Sequence, residues 1–285
     1  MTYGRLYERG ESLLKEAGIE EARLDARLLL EYVCHTDRNT LLVHGDREVS
    51  EEEERRYGQL LERRCRRIPL QYIMGTQEFM GLEFTVNENV LIPRQDTEIL
   101  VEEVLKNLHD GMRVLDMCTG SGCILISLLR FSNDCTGVGA DISEKALETA
   151  RSNAERLLEG TRAGNCSFCR SNLFENITGV FDILVSNPPY ICSDVIDTLM
   201  PEVREHEPRL ALDGEADGLA FYRRIVREGS GHLTGGGMLF FEIGSDQAEA
   251  VSGLMAEAGY LEINVVKDYA GLDRVVYGTK SFAGM

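Results

Sequence analysis

The first seventy residues place hydrophobic side chains at the intervals of amphipathic helices. The stretch D-A-R-L-L-L-E-Y-V (25–33) gives a dense apolar face at helical spacing. Ser50 stands three residues before Glu53, which is the arrangement of a capping box at the start of a helix. The pattern predicts a helical domain over residues 1–70.

Residues 71–93 change from the helical period to an alternation of apolar and polar positions. Leu82, Phe84 and Val86 are two residues apart and lie near glycines, which is typical of a short β-hairpin. Pro93 lacks a backbone N–H group and is expected to end the strand that V-L-I forms. The segment is therefore predicted to be a hairpin that links two domains.

From residue 94 onward, short apolar runs alternate with amphipathic helical stretches. Clear strands are predicted at R-V-L-D-M (113–117), C-T-G-V-G-A-D (135–141) and F-D-I-L-V-S-N (181–187). Strands joined by helices pair in parallel through right-handed crossovers. The connection at 268–273 is too short for such a helix, so the last two strands are expected to pair antiparallel. The predicted fold class is α/β, with a doubly wound, mostly parallel sheet over residues 94–285.

The chain carries a formal net charge of −18 over 285 residues. A protein that holds nucleic acid stably presents a basic stripe to the phosphates, so no such partner is expected. Two basic clusters, Arg55-Arg56 and Arg63 to Arg67, are interpreted as a solvated helix face, with a docking surface as the alternative. The chain shows no signal peptide, and no apolar run approaches the roughly 18 residues that span a bilayer. A cytoplasmic protein without a membrane partner is expected.

The eight cysteines and five histidines form no metal-ligand pattern. Cys166 and Cys169 make a lone C-x-x-C, whereas a zinc site needs a second ligand pair at matching spacing. In a chain without a secretion signal, most thiols are expected to be reduced and buried. No metal is therefore predicted.

A glycine-rich loop follows the strand R-V-L-D-M, in the stretch D-M-C-T-G-S-G-C (116–123). Gly120 and Gly122 permit a tight turn and a close approach of the backbone to a ligand at the start of the next helix. Leu125 replaces the third glycine of the dinucleotide fingerprint, which disfavours a nicotinamide cofactor. Asp141 ends the next strand, where its carboxylate can accept both hydroxyl groups of a ribose. A nucleoside ligand is favoured, and a purely structural turn is the alternative.

The strand F-D-I-L-V-S-N runs into the stretch S-N-P-P-Y (186–190). Ligands of open α/β sheets bind at the carboxyl ends of strands, which puts this stretch beside the glycine loop. A planar amide or amine nitrogen is a poor nucleophile because its lone pair is delocalised. The Asn187 side-chain oxygen and the Pro188 carbonyl can accept its two N–H groups, and the Tyr190 ring can stack on a flat group. The alternative is a proline-rich turn with a packed tyrosine.

The two stretches together resemble motifs of class I S-adenosyl-L-methionine-dependent methyltransferases, in which N-P-P-Y marks methylation of planar nitrogens. The resemblance implies a seven-stranded Rossmann-like sheet, S-adenosyl-L-methionine as cofactor and S-adenosyl-L-homocysteine as product. In that family the glycine loop and Asp116 surround the methionine part, Asp141 holds the ribose, and the S-N-L-F stretch meets the adenine, with Asn172 where an acid is common. The implied cofactor-binding residues are Asp116, Thr119, Gly120, Ser121, Gly122, Cys123, Asp141, Asn172, Leu173 and Asn187.

Longer stretches resemble one family nearly end to end. P-L-Q-Y-I-M-G, V-L-I-P-R-Q-D-T-E and F-F-E-I-G are similar to the PrmC/HemK family of peptide chain release factor N5-glutamine methyltransferases, which usually has R-P-E-T-E. The resemblance implies methylation of the glutamine in the Gly-Gly-Gln motif of bacterial class I release factors, which the helical domain would recognise. Asn187, Pro188 and Tyr190 are the implied catalytic residues. The implied substrate-binding residues are Asn187, Pro188, Pro189, Tyr190, Arg94, Thr97 and Glu98.

The same motifs are consistent with three other functions. Related enzymes methylate a glutamine of a ribosomal protein, and enzymes with the same signature methylate adenine N6 in nucleic acid. A scaffold that binds S-adenosyl-L-methionine without catalysis is the third, although the intact loop and Asn187 argue against it. Glu242 in F-E-I-G either faces the site or caps a turn. A monomer is expected.

Overall fold

The computed structural model describes residues 1–158, residue 160 and residues 164–282. Contacts divide the chain into two compact units: the first comprises Met1–Thr76 and Met200–His206, and the second comprises Gln77–Leu199 and the chain from Glu207 onward. The division by role, with a recognition domain over 1–70, a linker over 71–93 and a catalytic domain over 94–285, remains a prediction.

The first unit is helical, as the apolar spacing predicts. It contains α1 (Tyr3–Glu16), α2 (Ala22–Cys34), α3 (Arg38–Val43), α4 (Glu51–Cys65), α5 (Leu70–Met74) and, from later in the chain, α9 (Pro201–His206). Ser50 and Glu53 form the predicted capping box at the start of α4. The helices bury one common core, in which Leu6, Leu29 and Tyr57 are almost fully enclosed.

The basic cluster at the end of α4 is not wholly a solvated face, and this corrects the sequence interpretation. Arg64 is buried, and its guanidinium contacts Asp25 at 2.7 Å and Glu202 at 3.0 Å. Arg67 reaches the same Glu202 carboxylate at 3.0 Å. Buried charges are tolerated when they are paired, so the partners explain why Arg64 lies inside the unit. Nothing in the local sequence of α4 distinguishes Arg64 from its exposed neighbours.

The second unit is built on a seven-stranded sheet. Its strands are β3 (Arg113–Met117), β4 (Thr136–Asp141), β5 (Cys166–Arg170), β6 (Phe181–Ser186), β7 (Leu233–Glu242), β8 (Tyr260–Lys267) and β9 (Asp273–Lys280). The strand order is β5-β4-β3-β6-β7-β9-β8, with β9 antiparallel to both of its neighbours and the other pairs parallel. The predicted doubly wound sheet with an antiparallel last pair is confirmed.

Helices cover both faces of this sheet. They are α6 (Asp96–Asn107), α7 (Cys123–Phe131), α8 (Glu144–Leu157), α10 (Ala220–Gly229) and α11 (Ala248–Glu257). Successive residues of β6 point to opposite faces: Ile183 and Val185 join one hydrophobic cluster, whereas Leu184 joins the other. Burial on both faces explains why this strand is apolar throughout. Across the described ranges, no helix is both long and apolar enough to span a membrane.

The predicted hairpin is shorter than the sequence pattern indicates. Its strands are β1 (Thr76–Phe79) and β2 (Leu82–Thr85), and residues 72–74, which the alternation includes, belong to α5 instead. The expected strand before Pro93 is wrong: residues 90–92 form no strand. Ile92 donates its backbone N–H to the Glu207 carboxylate at 3.2 Å, so a side chain takes the place of a strand partner.

Candidate active site

The site lies where the strand order reverses, between β3 and β6. Chain connections run outward from this pair in both directions, so the carboxyl ends of the two strands leave a crevice. A cavity opens there, and residues from both sequence motifs line it. Gly120, Asp141, Asn172, Leu173, Asn187 and Pro189 are the cavity-lining residues that the sequence predicted.

The glycine loop has the backbone that only glycine adopts easily. Gly120 and Gly122 have φ values of +55° and +80°. A Cβ atom on Gly122 would lie 2.9 Å from Ile126 Cδ1 and 3.2 Å from Ala150 Cβ, whereas one on Gly120 would meet no atom within 4 Å. Gly122 therefore allows the start of α7 to pack closely against Ala150 of α8, and Gly120 leaves the backbone open toward the cavity.

Asp116 supports this loop from below and does not line the cavity. Its Oδ2 atom accepts from the Thr119 hydroxyl at 2.5 Å and from the Leu125 backbone N–H at 3.3 Å. The side chain is fully buried, and that burial raises the pKa of Asp116 to about 7. Its Oδ1 atom has no hydrogen-bond partner within the described residues. Thr119, Ser121, Gly122 and Cys123 also lie outside the lining, so most of the predicted loop residues shape the cavity indirectly.

Asp141 lines the cavity with its carboxylate. One oxygen accepts from the Gly120 N–H and the other from the Ser143 N–H, both at 2.9 Å. A carboxylate has about four acceptor positions, so the carboxylate retains capacity to accept from another donor. Burial raises the pKa of Asp141, and the backbone N–H groups oppose that rise. A cavity-lining carboxylate with remaining acceptor capacity fits the hydroxyl groups of a ribose.

The stretch after β5 forms the wall where a base is expected. Leu173 is buried with φ +52°, and its carbonyl accepts from the Ser171 hydroxyl at 2.5 Å, which holds the bend. Asn172 donates to Glu175 at 2.8 Å, and its oxygen faces the Arg224 guanidinium at 3.4 Å. An adenine amino group would therefore share the Asn172 oxygen with Arg224.

Asn187 is held between β6 and α6. Ser186 donates its hydroxyl to the Met117 carbonyl at 2.6 Å, which ties the ends of β6 and β3 together. The Asn187 side-chain N–H group faces the Thr97 hydroxyl oxygen at 3.3 Å. Asn187 and Pro189 line the cavity, whereas Pro188 and Tyr190 do not.

Tyr190 is fixed through both its backbone and its hydroxyl group. Its carbonyl accepts from the Gln247 amide at 3.0 Å. Cβ atoms on Gly214 and Gly218 would lie 2.7 Å and 2.3 Å from Tyr190 backbone atoms, so only glycine lets this loop pack there. The hydroxyl group lies 3.5 Å from Glu242 Oε1, and burial is the main cause that raises the Tyr190 pKa. These contacts hold the backbone of Tyr190 and place its hydroxyl group beside Glu242.

The three linker residues differ in where they lie. Thr97 is buried and faces Asn187. Arg94 pairs instead with the buried carboxylate of Glu207, and Glu98 accepts the Met80 backbone N–H at 2.6 Å in the turn of the hairpin. None of the three lines the cavity. The structure thus brings Thr97 to the Asn187 side chain. Arg94 binds the Glu207 carboxylate instead, and Glu98 binds the Met80 backbone.

Glu242 ends β7 and is buried behind S-N-P-P-Y. Its carboxylate faces the Tyr190 hydroxyl, whereas its backbone carbonyl accepts from the Tyr222 hydroxyl at 2.8 Å. Burial raises the pKa of Glu242 to about 7. Of the two sequence interpretations, a place beside the site is therefore the one that the geometry supports.

Several cavity residues have no signal in the local sequence pattern. The segment before Pro93, the stretch after Glu207 and one face of α10 all contribute, although no spacing rule links them. These additional lining residues are Asn89, Val90, Leu91, Pro208, Leu210, Ala211, Phe221 and Arg224. Glu207 joins two of these segments because it binds both Ile92 and Arg94. Within the described part of the chain, no cluster of three or more His, Cys, Asp or Glu side chains suits a metal ion.

Comparisons with known proteins agree with this architecture. The PrmC N-terminal domain family matches residues 5–75, and the methyltransferase small domain family matches residues 94–205. A release factor glutamine methyltransferase of Caulobacter vibrioides is 43% identical over 284 residues, which cover 99% of this chain and 97% of that protein. A release factor glutamine methyltransferase of Geobacter sulfurreducens is 44% identical over 266 residues, covering 93% and 92%.

The solved structures add a likeness in fold. A methyltransferase from Pyrococcus furiosus has a TM-score of 0.53 and 18% identity, covering 72% of this chain and 91% of that one. At this identity the similarity concerns the fold alone. Together with the seven-stranded sheet and the matched methyltransferase domain, it confirms the predicted methyltransferase fold.

Proposed function

The chain belongs to the release factor glutamine methyltransferases, and on that premise we propose that it methylates N5 of the glutamine side chain in the Gly-Gly-Gln motif of bacterial class I release factors. The methyl donor is S-adenosyl-L-methionine, and S-adenosyl-L-homocysteine is the product. The near-complete coverage of the curated relatives supports an assignment for the whole chain rather than for one domain.

The cavity residues fit this donor. Asp141 would hold the ribose hydroxyls with its remaining acceptor capacity, and the Gly120 backbone is open toward the cavity. Leu173 would pack against the base, and Asn172 would accept from its amino group. Bound there, S-adenosyl-L-methionine supplies an electrophilic methyl group. The buried Asp116 acts on the donor indirectly, since its contacts hold the loop.

The S-N-P-P-Y stretch would receive the glutamine amide. The Asn187 side-chain oxygen and the Pro188 carbonyl would accept the two N–H groups of N5, which orients the lone pair and stabilises positive charge as it develops. The Tyr190 ring would pack against the amide plane. No strong base is required, because the methylated nitrogen is acidic enough to lose its proton to solvent.

One observation carries the proposal: Asn187 and Asp141 line the same cavity, with the Asn187 N–H group turned toward Thr97. The amide oxygen then remains as an acceptor next to a nucleoside-binding carboxylate. A proline-rich structural turn would not require this orientation. The proposal also includes three further properties. The helical unit recognises the release factor, the protein is a monomer, and it acts in the cytoplasm.

The decisive experiment offers the purified protein three substrates with labelled S-adenosyl-L-methionine. We expect transfer of one methyl group to the Gly-Gly-Gln peptide of unmodified release factor, located by mass spectrometry. A release factor with Gln replaced by Ala in that motif is the control and should remain unlabelled. Preferred transfer to a ribosomal protein or to adenine in DNA would overturn the assignment.

A further inference from the structure

The buried carboxylate of Glu242 has no part in the contacts proposed so far. Its side chain is almost fully enclosed, and it follows Phe241, which pairs with Ser186 in the sheet register. Glu242 Oε2 has no hydrogen-bond partner within the described residues. A buried carboxylate with an unpaired oxygen costs stability, so its presence directly behind Asn187 requires a physical explanation.

Thr97 connects Glu242 to Asn187. The Asn187 Nδ2 atom lies 3.3 Å from the Thr97 Oγ1 atom. Thr97 and Asn187 also face the Glu242 carboxylate: burial raises the pKa of Glu242, and hydrogen-bonding groups of these two side chains oppose the rise. Three elements therefore meet here, namely the start of α6, the end of β6 and the end of β7.

The number of available hydrogens decides which way the hydroxyl group of Thr97 points between Glu242 and Asn187. A threonine hydroxyl has one hydrogen, and an ionised carboxylate only accepts. An ionised Glu242 carboxylate attracts the Thr97 hydrogen, and the Thr97 oxygen is then left to accept from Asn187 at 3.3 Å. The two ends of an asparagine amide have nearly the same shape, so such a network is what determines which end faces which neighbour.

We infer that Glu242 is a positioning residue that acts through Thr97 to turn the Asn187 amide so that its oxygen faces the substrate. The inference rests on the proposed function, because only an incoming N–H group requires an acceptor at that point. The reversed amide would present its own N–H groups to those of the glutamine. Donor would then face donor, and the substrate amide would lose its acceptor.

The protonation state of Glu242 gives the inference a second consequence. Burial raises the pKa of Glu242 to about 7, and below that pH the protonated carboxyl can donate to Thr97. Thr97 can then donate to the Asn187 oxygen, which permits the reversed amide. The charged and titratable groups that act on Glu242 are Arg274 of β9, Asp96 of α6, Tyr190, Tyr222 of α10 and Cys123 of α7. Turnover should therefore decrease as the pH falls through about 7.

Thr97→Val tests the connection, since valine has the same shape without the hydroxyl group. We expect kcat to fall about tenfold or more while the Kd for S-adenosyl-L-methionine stays near wild type. Thr97→Ser restores the hydroxyl and should recover kcat to within about threefold. Thr149→Val is the matched control, because Thr149 is also buried and accepts from an asparagine amide, that of Asn87, at 3.1 Å. An unchanged kcat in Thr97→Val would overturn the inference.

Glu242→Gln tests the direction of the hydrogen bonds. Glutamine both donates and accepts, so we expect kcat to fall and its decrease toward acid pH to disappear. Glu103→Gln, at a buried carboxylate that contacts Lys106, is the control and should retain the wild-type pH profile. If kcat of Glu242→Gln still decreases toward acid pH, the titration of another group, such as Asp116, causes that decrease. This result would also overturn the inference.

The same assays separate this inference from the proposed function. If the wild-type protein transfers no methyl group to release factor, both the proposed function and this inference are wrong. If the wild-type protein transfers the methyl group and Thr97→Val turns over normally, the proposed function holds and the positioning role of Glu242 is wrong. If Glu242→Gln does not fold, Thr97→Val and Thr97→Ser still decide the outcome.

Discussion

The two walls of the cavity are built in different ways. On the glycine-loop wall, Thr119 contacts Asp116 three residues away and the Gly120 N–H contacts Asp141 twenty-one residues away. On the S-N-P-P-Y wall, Asn187 meets Thr97 across 90 residues and Tyr190 meets Glu242 across 52. The first wall is mainly a backbone shape, whereas the second is a network of side chains brought together by the sheet.

The comparison indicates what each wall can tolerate. A backbone turn fails when a residue cannot adopt its φ value or when a Cβ atom has no space. A side-chain network fails when one donor or acceptor is lost, even though the backbone is unchanged. Substitutions should therefore separate donor binding and stability on the first wall from turnover on the second.

The largest effect is expected at the centre of the second wall. Asn187→Ala removes the proposed acceptor for the substrate amide, so kcat should fall about 10²- to 10³-fold. The Kd for S-adenosyl-L-methionine, measured by calorimetry, should stay near wild type. Donor affinity that falls in step with kcat would place Asn187 with the first wall instead.

Asp141→Ala tests whether the first wall determines donor binding rather than turnover. Loss of the proposed charge-assisted hydrogen bonds to the ribose should weaken donor binding about tenfold to a hundredfold. The KM for release factor, measured at saturating donor, should change little. If donor affinity is unaffected, the ribose does not bind at Asp141, and the separation between the walls fails.

Gly122→Ala tests the backbone of the first wall directly. The φ value of +80° and the contact of 2.9 Å to Ile126 should reduce the free energy of unfolding by about 2 kcal/mol. Gly253→Ala is the control, since Gly253 lies in α11 and an added Cβ meets no atom within 4 Å. Thermal denaturation should show a lower Tm for the first variant only; equal Tm values would mean that the loop relaxes.

The smallest effect is expected at Glu98, which supports the hairpin turn. Glu98→Ala removes the acceptor of the Met80 N–H and should reduce the free energy of unfolding by about 1 kcal/mol. Denaturant unfolding measures this change, and Glu98→Gln, which retains an oxygen, should recover much of it. A large rise in the KM for release factor without loss of stability would show instead that Glu98 contacts the substrate, as the family resemblance implied.

The sequence predicted most reliably what depends on neighbours in the chain. The capping box of α4, the alternation of strands and helices, and the position of S-N-P-P-Y after β6 were all predicted from local patterns. The extended strand expected before Pro93 was wrong because Glu207, 115 residues away, accepts the Ile92 N–H that a strand partner would take. Local alternation carries no information about such a distant acceptor.

The sequence by itself determined the chemistry of this protein: a glycine turn, a strand-end acid and an asparagine before two prolines, each recognisable because its parts are adjacent. Only the tertiary structure decided which groups stand behind them. Arg224 reaches Asn172 from α10, and Gln247 reaches Tyr190 from the position before α11. Glu242 reaches Tyr190 because the parallel strands β6 and β7 bring their carboxyl ends to one edge of the sheet. Contacts of that kind depend on strand order, which no spacing within the chain encodes.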